Sequence, residues 1–145
     1  MTQIESNIDE FILRLKNDTE LQDFAFTKAY SRNYAPNPID KFVVAVNTLD
    51  TKIKKEFIGK SIGENIQGKI YETKVRLRVY AKTKDHASSL VEATYTLSSA
   101  LQNHDTENLI DTVSLTGISY DSTVKTVYRD IEIIFCYCLC EGETA

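Results

Sequence analysis

A change of hydrophobic period near the middle of the chain constrains its fold more than any other feature. Between residues 71 and 81 polar and apolar side chains alternate, so that Val75 and Leu77 fall on one face and Arg76 and Arg78 on the other. This alternation is typical of a half-buried β-strand. Beyond residue 86 the spacing changes to three and four, which predicts an amphipathic helix. Its apolar stripe consists of Ala87, Leu90, Val91, Thr94, Leu97 and Leu101.

The remaining elements are predicted from similar patterns. Helical spacing of apolar residues predicts an N-terminal amphipathic helix over residues 4–17, with its apolar face on the sheet. Apolar runs predict a buried strand from Phe42 and a second strand from Lys52, which together with residues 71–81 form a long hairpin. We call this hairpin, residues 42–81, the arm. Residues 109–120 and 123–139 predict a C-terminal β-hairpin.

These elements predict an α+β fold in a single domain, residues 1–145. A mostly antiparallel sheet is expected to carry the N-terminal and central helices packed on it, with the long β-arm and the C-terminal β-hairpin. A length of 145 residues is enough to bury one core. No apolar run approaches the roughly 20 residues that span a bilayer, and the N-terminus lacks the pattern of a signal peptide. We therefore expect synthesis in the cytoplasm and no membrane partner.

Charge is distributed unevenly along the chain. Residues 52–84 contain ten basic and three acidic side chains, whereas residues 85–145 contain two basic and ten acidic ones. A basic middle could bind nucleic acid. It could equally meet the acidic surface of another copy or of a protein partner. With a net charge of −4 and no basic tail, a protein partner is the preferred interpretation.

No catalytic or metal-binding motif stands out. Cys136, Cys138 and Cys140 alternate on the last strand, which places them on one face about 7 Å apart. That spacing is poor for a disulfide, and the chain lacks paired histidines that would complete a metal site. We interpret these cysteines as small core or interface residues. We therefore expect no cofactor and no metal.

Two groups of acidic residues are candidates for a functional role. Asp105 and Glu107 next to His104 could form an acid–base group, but carboxylates in a polar connector are normally solvated. Asp130 and Glu132 interrupt an otherwise apolar strand, and such acids require a partner or water. We expect them on a solvated or lumen-facing surface of the sheet, and we expect no enzymatic activity.

The order of elements resembles the tail terminator (tail completion) proteins of tailed phages and their relatives in contractile phage-tail-like bacteriocins. The resemblance covers most of the chain: an amphipathic N-terminal helix, an aromatic crossing with Pro-x-Pro at residues 36–38, a lysine-rich arm, a strand that runs into a helix, and a C-terminal hairpin. The closest local match is the join Val75-Arg-Leu-Arg-Val-Tyr-Ala-Lys followed by Ala87-Ser-Ser-Leu-Val.

This resemblance implies a structural protein without cofactor. It implies a homo-oligomeric ring, usually a hexamer, that caps the tail tube, stops its growth and joins the tube to the sheath or head connector. Such a protein is made in the bacterial cytoplasm and assembled into the virion or particle, with DNA only as passing cargo. We expect inter-subunit or tube contacts at the arm, then at Arg76 and Arg78, with Asp130 and Glu132 facing the lumen. The arm residues concerned are Lys52, Lys54, Lys55, Phe57 and Lys60.

Other functions stay open at this point. One is a different neck, connector or tail-assembly protein, which ring stoichiometry and position in the particle would separate. Another is a small nucleic-acid-binding domain that uses the basic segment 52–84, which would show salt-dependent retention on DNA. An enzyme of unrecognised type is the third.

Overall fold

Two helices and five strands form the described part of the chain, which in this computed structural model is residues 3–28, 41–58, 67–82, 87–106 and 109–141. The elements are α1 (Gln3–Lys16), a 3-10 turn (Thr19–Leu21), β1 (Phe24–Lys28), β2 (Phe42–Ile58), β3 (Gln67–Tyr80), α2 (Ala87–His104), β4 (Ile110–Asp121) and β5 (Thr126–Glu141). The predicted α+β class is confirmed. Within these ranges, no helix combines the length and apolar character that crossing a membrane requires.

The sheet has the order β1-β2-β3-β5-β4. β3 pairs antiparallel with β2 on one side and with β5 on the other, so it lies at the centre. β1 pairs parallel with the first residues of β2. The sequence did not predict β1, because its aromatic residues show no clear period. Phe24 lies in β1 and stacks on Phe42 of β2 with ring centroids 5.3 Å apart.

Both helices pack on one face of the sheet and form a single core with it. The predicted alternation in β3 is confirmed, since Val75, Leu77 and Val79 are all buried in this core. Phe11 of α1 meets Phe135 of β5 edge to face, with ring centroids 5.6 Å apart. The helices contribute the buried side chains Ile8, Phe11, Leu15, Leu90, Ala93, Leu97, Ala100 and Leu101. Burial of this apolar surface is the main stabilising contribution.

The predicted arm is confirmed as an antiparallel hairpin, but the prediction of two separate strands within residues 42–58 is wrong. β2 is continuous over 17 residues. Two register shifts, between Thr48 and Asp50 and between Ile53 and Lys55, interrupt its ladder with β3. Such bulges add a residue without ending a strand, which explains why the apolar pattern breaks while the strand continues.

A buried connection ties α2 to the β4–β5 hairpin. Arg129 lies on the core-facing side of β5, where its Nε donates to the carbonyl oxygen of Thr116 at 2.7 Å. Its Nη1 donates to Oγ1 of Thr94 at 3.0 Å, and its guanidinium lies 5.5 Å from the ring centroid of Tyr95. Thr116 stands at a register shift of β4, between Leu115 and Ile118, so Arg129 satisfies a carbonyl where the ladder is interrupted.

Candidate functional site

The sheet face opposite the helices carries a group of charged side chains that we call the ion-pair face. It consists of Lys74, Arg76 and Arg78 of β3 with Asp130 and Glu132 of β5. Because apolar residues occupy the alternate positions of both strands and face the helices, the polar residues all point the other way. The register places Arg76 opposite Glu132 and Arg78 opposite Asp130.

Arg78 and Asp130 form the strongest pair on this face. Arg78 Nε and Nη2 donate to Oδ1 and Oδ2 of Asp130 at 2.8 and 3.0 Å, which is the bidentate geometry of a charge-assisted pair. The Arg78 guanidinium also lies 4.3 Å from the ring centroid of Tyr128. The hydrogen bonds that Arg78 donates to Asp130 raise the pKa of Arg78 above its already high ordinary value. The guanidinium of Arg78 therefore stays protonated over the whole physiological pH range.

Longer contacts join the rest of the ion-pair face. Arg76 Nε lies 3.7 Å from Oδ2 of Asp130, and its Nη2 lies 3.7 Å from Oε1 of Glu132. Lys74 Nζ lies 3.4 Å from Oε2 of Glu132. The buried Nε of Arg76 makes no hydrogen bond, so Arg76 is held by charge attraction at distances beyond hydrogen bonding. Three cations thus surround two carboxylates.

This arrangement corrects one expectation about the acids. Asp130 is only 7% exposed and paired with Arg78, so the interpretation of Asp130 as a solvated acid is wrong. Neighbouring cations neutralise both Asp130 and Glu132, so these two residues do not form an acidic surface. Whether the ion-pair face lines a lumen stays a prediction. Arg76 and Arg78 are paired with these carboxylates. Paired cations attract phosphate groups less strongly, which argues against nucleic-acid binding at this face.

The arm continues the same face outward. Lys52 of β2 lies opposite Glu72 of β3, with Nζ 3.5 Å from Oε1. The Lys52 side chain is 64% exposed, so this pair contributes little stability. Lys54, Lys55 and Phe57 lie in β2, but their side chains are outside the described part, as is Lys60 altogether. The structure therefore brings Lys52 onto one face with Arg76 and Arg78.

The acid–base group that the sequence left open as a possibility around His104 does not form among the described residues. His104 Nε2 lies 2.7 Å from Oδ2 of Asp18, and Oδ1 of the same carboxylate accepts from the backbone N–H of Glu20 at 2.9 Å. The carboxylate of Asp105 accepts the backbone N–H groups of Leu109 and Ile110 at 2.8 and 3.0 Å. Both acids stabilise chain connections, and Glu107 is outside the described part.

The Asp18–His104 contact predicts a pH dependence of stability. Hydrogen bonds from His104 and then from Glu20 lower the pKa of the Asp18 carboxyl below its ordinary value of 3.8. A lowered folded-state pKa means that the carboxylate stabilises the fold above that ordinary value and that this contribution is lost as the pH falls through the folded-state pKa. We expect Asp18→Asn to lower the melting temperature at pH 6, and we expect the difference from the wild type to shrink as the pH falls below 3.8 through the folded-state pKa. Thermal unfolding at pH 6 and at a series of pH values below 3.8 measures the difference. Asp111→Asn, at an exposed position, serves as the control, and a constant difference at all pH values would contradict the prediction.

The cysteines show no metal-binding arrangement in the described part of the chain. Cys136 is half-buried opposite Glu72, on the same side of the sheet as the ion-pair face. Cys138 and Cys140 follow in β5, with side chains outside the described part. Among the described side chains, no group of three or more His, Cys, Asp or Glu residues could hold a metal ion.

Comparison with known proteins adds no relative. No protein-family model matches the chain, and no curated protein matches its sequence.

Proposed function

We propose that this chain is a structural subunit that forms a ring on the end of a phage-type tail tube, ends tube growth and joins the tube to the sheath or head connector. The observation that carries the proposal is the outer part of the arm. In it the ladder between β2 and β3 continues to Ile58, and β2 exposes Asp50, Thr51, Lys52 and Ile53. The overall resemblance to tail terminator proteins supplies the particular assembly.

The outer part of β2, from residue 47 onward, has the form of a contact element, whereas the start of β2 and much of β3 belong to the core. In β2 the buried side chains end at Ala45, and Asp50, Thr51, Lys52 and Ile53 are all exposed. Residues 47–58 nevertheless remain in the strand, and the ladder to β3 continues to Ile58. Twelve residues of strand span about 40 Å, which is enough to reach a neighbouring subunit. An apolar residue such as Ile53, 48% exposed in the single chain, would gain burial there.

The ion-pair face suits a wall that DNA passes. A wall with unpaired cations would hold phosphate groups, because each contact releases condensed counterions. Here Asp130 and Glu132 offset two of the three cations of the ion-pair face, so the face keeps a formal charge of +1 rather than +3. A lumen lined by this face would hold a polyanion less tightly than one lined by unpaired cations. The proposal includes no catalytic step and no cofactor.

Charge reversal in the arm tests the proposal. We expect the triple variant Lys52→Glu, Lys54→Glu, Lys55→Glu to lose ring formation and tube capping, because opposite charges at the contact become like charges. Light scattering at low and high salt measures ring formation, and the length of purified tubes after addition of the protein measures capping. Lys41→Glu with Lys125→Glu provides a control for added negative charge, since both lysines are exposed and lie outside residues 47–58 of β2.

The possible outcomes test the role of the arm and the proposed function separately. If the triple variant still forms rings and caps tubes, the assigned role of the arm is wrong. If the wild-type protein does not limit tube length at any concentration, the proposed function itself is wrong. A wild-type protein that forms rings found elsewhere in the neck would instead be a connector subunit.

A further inference from the structure

We propose that copies of this chain join through their sheets, with the outer edge of β4 in one copy pairing antiparallel with residues 47–58 of β2 in the next. The inference rests on the proposed function only in taking a second copy of the chain as the partner. It names two edges that the sequence did not identify as contact surfaces.

The first edge is the outer part of β2. β1 pairs with Phe42–Val46 and ends at Lys28, opposite Val46. Within the described residues, no strand lies beside residues 47–58 on the side away from β3. Backbone N–H and C=O groups on such an edge are a template for another strand.

The second edge is β4, the last strand in the sheet order. Among the described elements β4 pairs with β5 alone, so its other side is an edge over all 12 residues, Ile110–Asp121. Its sequence contains neither proline nor lysine, the residues that commonly protect an edge from pairing. Tyr120 of β4 is 62% exposed, which leaves a large apolar side chain for a partner to cover. The two edges have equal length.

Strand directions favour a head-to-tail arrangement. β2 and β5 run one way along the sheet, while β3 and β4 run the other. If successive copies keep the same sheet orientation, β4 of one copy meets β2 of the next antiparallel, and the alternation continues across the boundary. Such contacts use two different surfaces, and they close into a ring when the rotation between copies allows it.

The levels of the two edges also fit a closed ring. β4 lies beside residues 126–135 of β5, whereas Asn47, where the first edge begins, is level with Glu132 through Arg76. The next copy must therefore shift along the strand direction to align the full edges. Closed barrels require such a stagger, because their strands tilt relative to the axis.

Charge distinguishes this pairing from β4 with β4. β4 contains Asp111 and Asp121 and no basic residue. Residues 47–58 contain Lys52, Lys54 and Lys55 against Asp50 and Glu56. Opposite charges on neighbouring strands attract, and like charges directly opposite each other repel. A two-fold pairing of β4 with itself would bring the acids together.

A matched pair of substitutions and an exchange measurement test the proposal. Thr112 is exposed on β4 and lies opposite Ile134, so a charge there meets no charged cross-strand partner on β5. We expect Thr112→Lys to weaken association by up to about fivefold per contact at low salt, because residues 47–58 carry three basic and two acidic side chains, and we expect Thr112→Glu to keep or strengthen it. Hydrogen exchange of the wild-type protein should slow in residues 47–58 and 110–121 as association increases with concentration.

Each outcome decides the inference independently of the function. Rings in which both segments exchange as fast as in the monomer would overturn the edge pairing and leave tube capping untouched. Protection of β4 alone, in a dimer, would overturn it in favour of two-fold pairing. Equal weakening by Thr112→Lys and Thr112→Glu would remove the charge argument. A chain that stays monomeric at every concentration would overturn the pairing, and the tube-length assay would then judge capping by itself.

Discussion

Asp130→Ala should destabilise the chain by about 3 kcal/mol, at the lower end of the range for breaking a buried ion pair. Asp130 is 7% exposed and supplies both oxygens of the bidentate bond to Arg78. Its removal leaves a largely buried guanidinium without an acceptor. Because 28% of the Arg78 side chain is exposed, water compensates part of the loss. Urea unfolding at pH 7 measures the free energy of unfolding.

Two further variants make this prediction specific. Replacing both partners, Arg78→Met with Asp130→Leu, should cost far less than Asp130→Ala, since apolar residues of similar volume leave no buried charge uncompensated. Asp111→Ala removes an exposed carboxylate and should change stability by less than about 0.5 kcal/mol. If Asp130→Ala costs no more than Asp111→Ala, the ion-pair face does not stabilise the fold.

The elements with a strong hydrophobic period could be predicted from the sequence. In β3 the alternation predicted over residues 71–81 is confirmed at Thr73, Val75, Leu77 and Val79, which are buried, whereas Tyr71 is half-buried. In α2 the stripe of Leu90, Thr94, Leu97 and Leu101 is fully buried. In both elements one face packs on the core and the other does not, so burial itself imposes the period on the sequence.

Elements defined by a neighbour could not be predicted in the same way. β1 is a strand because Phe24–Lys28 lie beside Phe42–Val46, and a five-residue parallel contact leaves no period in the sequence. The continuity of β2 depends on bulges at Thr48 and Ile53, where the ladder shifts while the chain stays extended. The residue pattern at these positions predicted the end of a strand, whereas β2 continues and only changes its register with β3.

The sequence predicted only one aspect of the ion-pair face, namely that its residues point away from the core. It did not predict which residues pair with each other. Alternation correctly placed Arg76, Arg78 and Asp130 away from the core, because their strand neighbours are apolar. It could not show that β3 and β5 are adjacent, since α2 and β4 separate them along the chain. Because β5 lies next to β3, Asp130 is buried as the partner of Arg78 instead of being exposed. The contact between Asp18 and His104, 86 residues apart, was missed because the sequence gives no sign of it.

Phe135→Ala should be the most destabilising single substitution considered, by about 3–5 kcal/mol. Phe135 is 2% exposed, and its ring meets Phe11 of α1 edge to face and stacks near Tyr137 at 6.2 Å. Truncation leaves a cavity between the sheet and α1 that close packing prevents from collapsing fully. Thermal and urea unfolding measure the loss.

A double-mutant cycle separates the ring contact from simple burial. Phe135→Leu and Phe11→Leu each keep most of the apolar volume, so their combination should show a coupling of about 0.5–1.5 kcal/mol if the edge-to-face geometry contributes beyond area. Additive effects would mean that burial alone holds α1 to the sheet. A cost below about 1 kcal/mol for Phe135→Ala would mean that α1 is not a stable part of the core, because removal of a buried ring at a real helix–sheet contact cannot be that small.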